Sequence, residues 1–306
     1  MTLTIPDSDI TFVVQGPVQA TAARTQIQGV THQCLESIQR YFPGSPIILS
    51  TWQDQSTHGL NYDVLVESVD PGPNVIINGT TPQTLNNNRL IVSSHAGLTQ
   101  VKTRYAVKLR TDNVLSGRAF LTSYLAHFDV KRDPKMSFFK QRVLTSSAFF
   151  IGSHYGKPVH FHKSDLFDFG LTEDLLKIWS GQKIGQLEFH LKPGKKERYP
   201  ATEQFLCLSW LSDLLGLPLH INNKAGDSAG LDSTFWENFL ANNLIVDTPE
   251  ALQLDVTARF YKRGNLSLEY DILDWKALTE GTKIKLDRKR LERAFKSLIG
   301  KLSRNL

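Results

Sequence analysis

The sequence is poor in cysteine and lacks long apolar runs, internal repeats and low-complexity segments. Only Cys34 and Cys207 occur among 306 residues, which argues against a disulfide framework or a cysteine-rich zinc site and predicts a reducing compartment. No run approaches the ~20 apolar residues that cross a bilayer, and the polar first residues lack the order of a secretory signal. The chain is therefore expected to be soluble or peripheral on a membrane.

The composition, 41% hydrophobic and 21% charged, is that of an ordinary globular protein. Its charge is unevenly distributed: residues 283–306 carry +7, which leaves −2 for the rest of a chain of net charge +5. A basic segment on a slightly acidic body argues against a nucleic-acid-binding body and indicates that the C-terminal segment is an interaction surface.

The first half alternates between strand-like and helix-like segments. Short apolar or β-branched runs predict strands, and apolar residues at helical spacing predict helices. The resulting order β-α-β-β-α-β predicts an α/β fold with a mostly parallel, twisted sheet and flanking helices. The predicted strands are 10–14, 46–52, 62–66 and one from 105, and the predicted helices are 27–41 and 87–101.

The second half is expected to complete the sheet and to supply an acceptor side. We predict one domain over 1–280, with a nucleotide-binding half of about 1–130 and an acceptor-side half of about 131–280, followed by a helix in 281–306. The predicted strands here are 138–145, 148–152 and 159–162, and the predicted helices are 173–179 and 203–215.

Asp112 directly follows the strand that begins at Tyr105. Ligands of open α/β sheets collect beyond the carboxyl ends of strands, where a carboxylate can hold Mg²⁺ or Mn²⁺ against a nucleotide diphosphate. Alternatively, Asp112 and Asn113 cap the following turn. Arg110, on the same strand, is interpreted as the structural partner of a buried carboxylate.

Six ordered segments carry a family resemblance: ITFVVQGP (10–17), YFPG with IILSTW (41–52), DPG (70–72), NNNR (86–89), KLRTD (108–112) and SDLFDFG (164–170). With these segments the chain resembles the WavE lipopolysaccharide-synthesis family, which looks like a GT-A-type glycosyltransferase family. By our interpretation the resemblance covers roughly the first 210 residues and leaves the basic tail outside.

The resemblance implies a nucleotide-sugar donor and a GT-A-like fold. Gln15 and Gly16 would lie at the edge of the nucleotide pocket, and Asp112 would take the place of the Asp-x-Asp metal motif. Thr111-Asp112-Asn113 offers one carboxylate rather than two. A divalent cofactor, Mn²⁺ or Mg²⁺, is thus expected from the resemblance, and one aspartate can suffice when phosphates and waters complete the shell.

Asn88 and Arg89 stand at the predicted start of a helix and have two interpretations. Asparagine is a favoured cap residue, which explains the asparagines of this segment without a ligand. The planar guanidinium of Arg89 matches phosphate oxygens, so we also predict Asn88 and Arg89 as nucleotide-sugar ligands.

Asp165 and Glu203 are the candidate catalytic bases. Asp165 could accept the proton of an acceptor hydroxyl, or it could be a first-turn helix acid favoured by the dipole. Glu203 is predicted in the first turn of a helix capped by Thr202, and it ranks behind Asp165 as a base. His160 and His162, two positions apart, could share a metal, but no third ligand is clustered with them, and we expect them at the surface.

The basic tail has apolar residues at helical spacing: Leu291, Phe295, Leu298, Ile299, Leu302 and Leu306. A basic amphipathic helix of this kind suits an anionic membrane surface. The alternative is a solvated helix packed on the body.

The family resemblance, together with these patterns, implies a bacterial glycosyltransferase that is peripheral on the cytoplasmic face of the inner membrane. It would move a sugar from a nucleotide-sugar donor to a lipid-linked lipopolysaccharide, O-antigen or capsule glycan. Two alternatives stay open: transfer of another activated group, such as an alditol phosphate from a cytidine nucleotide, and a non-catalytic membrane-associated scaffold.

Overall fold

The computed structural model describes residues 4–18, 28–180, 182–191, 198–257, 260 and 266–302. The strands are β1 Ile10–Gln15, β2 Ile47–Trp52, β3 Val64–Ser68, β4 Asn74–Asn78, β5 Thr81–Leu85, β6 Tyr105–Arg110, β7 Val114–Leu115, β8 Val143–Ser146, β9 Ser153–His154, β10 Lys157–Pro158, β11 Phe167–Leu171, β12 Leu187–Phe189, β13 Leu244–Asp247 and β14 Leu254–Asp255. The helices are α1 Val30–Tyr41, α2 Asn87–Leu98, α3 Ala119–His127, α4 Thr172–Ile178, α5 Thr202–Leu215, α6 Phe235–Asn243, α7 Pro249–Leu252, α8 Ile272–Glu280 and α9 Arg288–Leu302.

Seven strands form the central sheet, in the spatial order β13-β8-β11-β6-β1-β2-β3. Six of them run in one direction, and β11 is antiparallel to both of its neighbours, β6 and β8. The amino end of β11 therefore lies at the same edge of the sheet as the carboxyl ends of the other strands. Helices flank the sheet, so the expected α/β class with a mostly parallel sheet is confirmed.

The adjacent parallel strands β6, β1 and β2 have residues that are almost all buried. Such continuous burial is typical of parallel strands covered by helices on both faces, and it explains their apolar, β-branched sequences. In the register of β1 with β6, Gln15 pairs with Arg110. Two polar side chains thus end neighbouring strands at one edge of the sheet.

Three predicted strands of the second half were wrong in extent or in kind. The segment 138–145 contributes only Val143–Ser146 to the sheet. Neither 148–152 nor 159–162 forms a strand, because Phe149 and Phe161 adopt left-handed backbone conformations with φ of 63° and 60°. A positive φ in a bulky residue interrupts extended structure.

A small three-stranded sheet, in the order β12-β4-β5, was not predicted. Its strand β4 pairs with β5 through a tight turn and with β12 in parallel. Residues 187–189 come more than a hundred positions after β4, so no local pattern indicates this pairing.

The main apolar core includes residues from both halves of the chain. The division into a nucleotide-binding half, an acceptor-side half and a terminal helix stays a prediction. Residue 27, the predicted start of the first helix, lies outside the described residues. Within the described part of the chain, no helix combines the length and apolarity needed to cross a membrane.

Candidate functional site

The ends of β1 and β6 meet at the edge where ligands of parallel sheets collect. The Thr111 N–H donates to the Gln15 carbonyl at 3.0 Å, and the Thr111 hydroxyl donates to the Pro17 carbonyl at 2.8 Å. Gly16, between them, has φ of 122°, and a Cβ there would lie 3.1 Å from Thr111 Oγ1. Glycine is required here because both its backbone conformation and the space beside Thr111 exclude a side chain.

Arg110 joins two of the predicted site residues. Its Nε and Nη2 donate to the two carboxylate oxygens of Asp112 at 2.8 and 2.9 Å, and its Nη1 lies 3.4 Å from Asp165 Oδ2. The side chain of Arg110 is 20% exposed and that of Asp112 only 3%. The ring of Phe260 covers the guanidinium at 5.5 Å. The interpretation of Arg110 as the partner of a buried carboxylate is confirmed.

The electrostatic balance at Arg110 favours its charged form. Burial lowers the pKa of the guanidinium, but the Asp112 and Asp165 carboxylates raise it by more, so the net shift is upward. Arginine carries five N–H donors, of which these bonds engage three. The guanidinium is therefore charged and held in place between two carboxylates, and the described bonds leave two of its five N–H donors for a further acceptor.

The loop 163–166 carries Asp165, and it reaches the site because β11 runs against its neighbours. Asn113 Nδ2 donates to the Leu166 carbonyl at 3.2 Å, and the buried Lys108 ammonium donates to the Asp165 carbonyl. Asp165 lies in this loop and not in a helix, so its interpretation as a first-turn helix acid is wrong. Backbone contacts hold the loop, which leaves the carboxylate to face Arg110.

A buried charged layer, missed by sequence reasoning, lies beneath that loop. Lys163 Nζ is 2.6 Å from Asp168 Oδ1, and the Trp179 indole N–H donates to Asp168 Oδ2 at 2.9 Å. Lys108 lies 4.2 Å from the Trp179 ring, and burial lowers its pKa to about 8 against the opposing effect of Asp165 and Asp168. The one available signal was a lysine inside the apolar strand β6.

Glu203 is in the first turn of α5, as predicted, although the helix begins at Thr202 and Ala201 precedes it as the cap. Burial, aided by the neighbouring Asp165 carboxylate, raises the pKa of Glu203 to about 7. His162 Nε2 lies 3.8 Å from Glu203 Oε2, and burial lowers the pKa of that imidazole to about 3. A carboxyl group with a pKa near neutrality, facing a neutral imidazole, can take up and release a proton at physiological pH.

The histidines were expected at the surface, and this expectation was wrong. His160 and His162 are 5% and 1% exposed. The Gln204 side chain donates to the His160 carbonyl at 2.8 Å, which holds this segment against α5.

Gln15, Asn88 and Arg89 lie along the neighbouring helix α2 and its contact with β1. Gln15 Oε1 accepts from Ser93 of α2 at 2.7 Å, and its buried Nε2 has no partner among the described residues. The Asn88 side chain bonds both the N–H and the carbonyl of Ile184, at 2.7 and 2.9 Å. Gln15 and Gly16 lie beside the charged cluster because β1 pairs with β6. Asn88 instead connects α2 to the segment around Ile184.

Arg89 forms a surface ion pair. Its Nε and Nη2 donate to the two carboxylate oxygens of Asp70 at 2.8 and 2.7 Å, and its Nη1 donates to Asn86 Oδ1 at 2.9 Å. No described contact joins Arg89 to Asp112 or Asp165. Its role as a nucleotide-sugar ligand stays a prediction.

Asp112 was predicted to hold a divalent metal. Both of its carboxylate oxygens accept from Arg110, and a divalent ion on a remaining lone pair would lie beside the guanidinium, where like charges repel. Across the described residues, no group of three or more His, Cys, Asp or Glu could hold a metal ion. Metal binding at Asp112 stays a prediction: the described residues supply this one aspartate, and donor phosphates and waters would have to complete the shell of the ion.

These features define an α/β protein with a charged cluster at the carboxyl ends of parallel strands. The chain belongs to the WavE lipopolysaccharide synthesis family, whose model matches residues 10–305. The match includes α9, so the expectation that the basic tail lies outside the family was wrong.

Two solved structures are loosely similar to this chain. HddC from Yersinia pseudotuberculosis, complexed with GMP-PN, is 8% identical, with a TM-score of 0.31 over 62% of this chain and 86% of that chain. A nucleoside-diphosphate-sugar pyrophosphorylase from Vibrio cholerae RC9 is 11% identical, with a TM-score of 0.30 over 58% of this chain and 83% of that chain. No curated protein matches the sequence.

Proposed function

We propose that this protein is a transferase of lipopolysaccharide synthesis that moves a glycosyl group from a nucleotide-sugar donor to a hydroxyl of a lipid-linked glycan. Membership of the WavE lipopolysaccharide synthesis family supports the pathway. The observation that carries the reaction type is the Arg110 guanidinium, held between Asp112 and Asp165 at the carboxyl end of β6. The N–H donors that Arg110 does not give to these two carboxylates can bind the phosphate oxygens of a diphosphate leaving group.

In this proposal the donor phosphates bind beside Arg110. The guanidinium donors not engaged by Asp112 and Asp165 reach the phosphate oxygens, and the buried amide of Gln15 supplies a further donor. As the bond from the sugar carbon to the phosphate oxygen breaks, negative charge grows on that oxygen. A positive centre already in position stabilises this charge without reorganising.

Glu203 serves as the general base. The acceptor oxygen gives its proton to the Glu203 carboxylate, forms the new bond to the sugar carbon, and the nucleoside diphosphate leaves with the bonding electrons. Asp165 was the first candidate, but its carboxylate is engaged with Arg110, whereas Glu203 faces the neutral His162. We therefore assign Asp165 to holding Arg110 and Glu203 to the proton.

The chemistry proposed here uses no metal ion. Dependence on Mn²⁺ or Mg²⁺, implied by the family resemblance, stays a prediction. Nucleotide binding measured calorimetrically in EDTA and again with Mn²⁺ tests it: equal affinity in both favours Arg110 alone as the cation, and binding only with Mn²⁺ assigns a metal to Asp112.

The direct test compares two aspartates that each pair with an arginine: Asp112 with Arg110, and Asp70 with Arg89. Wild type, Asp112→Ala and Asp70→Ala are screened by thermal shift with uridine, guanosine and cytidine diphosphates, since a ligand at 100 times its Kd adds about 2.7 kcal/mol of stability. Turnover of the matching nucleotide-sugar is then measured. We expect Asp112→Ala to lose turnover by a factor of about 10²–10³ and Asp70→Ala to keep it.

Three results would contradict the proposal in different ways. Undiminished turnover in Asp112→Ala would remove the cluster from the mechanism. Binding of cytidine nucleotides alone, with transfer of an alditol phosphate, would change the donor class. No nucleotide binding at all would favour a non-catalytic scaffold.

A further inference from the structure

Helix α9 turns its apolar side away from the protein. All five large apolar residues of the stripe that lie within α9 are exposed, and the only buried residue of the helix is Gly300. The exposed fractions are 54% for Leu291, 62% for Phe295, 54% for Leu298, 41% for Ile299 and 58% for Leu302. A helix that packs on a globular body normally buries this side, so the stripe is unusual. Leu306, predicted as its last member, lies outside the described residues.

The basic side of α9 faces the body, where acidic residues bind it. Arg293 Nη1 and Nη2 donate to the two carboxylate oxygens of Asp274 at 2.9 and 3.0 Å. Lys289 Nζ donates to Asp271 Oδ2 at 2.8 Å, and Arg290 pairs with Asp271 and Asp274. Asp271 and Asp274 lie at the start of α8, so three basic residues of α9 pair with these two aspartates.

Close packing at the other end of α9 fixes its rotation. A Cβ on Gly300 would collide with the backbone of Tyr155, and a Cβ on Gly156 would lie 2.5 Å from Ser297 Oγ. The helix is thus held by ion pairs near its start and by glycine contacts near its end. It cannot roll its apolar stripe inward without breaking both.

We propose that the apolar stripe of α9, defined as Leu291, Phe295, Leu298, Ile299 and Leu302, inserts into an anionic membrane surface. The charge around the stripe supports lipid as the occupant: Lys283, Lys285, Arg288 and Lys301 are all exposed beside it or in the segment that leads to it. An apolar stripe with flanking cations is the composition that binds the interface of anionic bilayers. The sequence predicted that the basic residues of the helix meet lipid, but the structure commits Lys289, Arg290 and Arg293 to the body.

This inference goes beyond the proposed reaction and does not depend on it. Full-length protein is floated with vesicles of phosphatidylglycerol and phosphatidylethanolamine, and separately with phosphatidylcholine, without any nucleotide. We expect binding to the anionic vesicles that weakens with salt, and much weaker binding to the neutral ones. Each Lys283→Gln, Lys285→Gln or Arg288→Gln change should weaken it roughly fivefold.

The apolar part is tested with Phe295→Gln/Leu298→Gln and a matched control, Leu217→Gln. Leu217 is 50% exposed and belongs to the turn after α5, so its substitution removes an exposed apolar side chain elsewhere. We expect the double variant to lose at least about tenfold in vesicle binding and the control to lose none. Because all three side chains are exposed, circular dichroism and thermal midpoints should stay unchanged.

Three outcomes would overturn the inference. Equal binding to neutral and anionic vesicles would remove the charge argument. Unchanged binding of the double variant would place the contact elsewhere. Light scattering that shows a dimer without vesicles, lost in Phe295→Gln/Leu298→Gln but kept in Leu217→Gln, would assign the stripe to a second copy of this chain.

Discussion

Two arginine–aspartate pairs in this chain share one geometry and differ in their surroundings. Arg110 binds both oxygens of Asp112 at 2.8 and 2.9 Å, and Arg89 binds both oxygens of Asp70 at 2.8 and 2.7 Å. The first pair is 20% and 3% exposed, and the second is 34% and 42% exposed. Bond lengths alone would rank the two pairs as equals.

Burial separates them. An exposed ion pair exchanges good solvation for a modest attraction, so its net contribution is near zero. A buried charge cannot return to water when its partner is removed, so each partner becomes necessary for the other. The Arg110 pair is also shared with Asp165, whereas the Arg89 pair ends at the surface. A buried, paired arginine such as Arg110 suits a binding site, because its side chain is held in place before a ligand binds.

The largest expected effect is on folding stability in Arg110→Met. The substitution leaves Asp112 and Asp165 as buried carboxylates without a cation, which should cost about 3–5 kcal/mol of unfolding free energy. Urea unfolding, followed by circular dichroism, measures it. A loss below ~1 kcal/mol would mean that the pair behaves like an exposed one, and the comparison would fail.

Glu203 extends the comparison to pH. Burial raises its pKa from the ordinary 4.5 to about 7 in the folded protein, so the folded state holds a proton that the unfolded state releases. Its contribution to stability is fully present below 4.5 and is lost as pH rises through about 7, by at most roughly 3 kcal/mol. Urea unfolding of wild type and Glu203→Gln at about pH 4 and about pH 8 tests this sign. A difference between the two proteins that does not change with pH would contradict it.

Arg110→Lys separates charge from shape. Lysine keeps the positive charge but cannot bind both oxygens of Asp112 in a planar fork, so we expect a loss of about 2 kcal/mol, smaller than in Arg110→Met. Nucleotide affinity, by calorimetry, should fall as well. A lysine variant as stable as wild type would show that only the charge matters.

The smallest effect is expected in Arg89→Met, which should change unfolding free energy by at most about 1 kcal/mol. The same variant tests the prediction that Arg89 binds donor phosphate. Weaker nucleotide binding with unchanged stability would support that role, and unchanged binding would leave Arg89 as a surface partner of Asp70.

Sequence patterns predicted the fold better than the site. The apolar runs of β1, β2 and β6 and the spacing of α1, α2 and α5 are local, and local patterns indicate local structure. The prediction of a strand over 159–162 was wrong because Phe161 has a positive φ. Nothing in the sequence indicates a positive φ at a bulky residue. The pairing of β4 with β12 depends on residues far apart in the chain.

Five of the predicted site residues lie near Arg110: Gln15, Gly16, Asp112, Asp165 and Glu203. The three carboxylates could be found because polar residues follow strands or open a helix, and Gln15 and Gly16 were implied by the family resemblance. The buried charged residues beneath the site could not be found in this way. Lys108, Lys163 and Asp168 form the buried layer only after β6 and the antiparallel β11 have paired. Which arginine would be buried also depends on packing, so the sequence could not tell that Arg110 is more buried than Arg89.

The reversed direction of β11 has a practical consequence for engineering. Because the strand enters the sheet from the site edge, both ends of the segment 147–166, which joins β8 to β11, lie at that edge, and the segment brings Asp165 to Arg110. Ala148, Phe150, Phe161 and Leu166 of this segment belong to the main apolar core, so it cannot be exchanged as freely as a surface loop. Substitutions around Asp165 should therefore keep these buried residues unchanged.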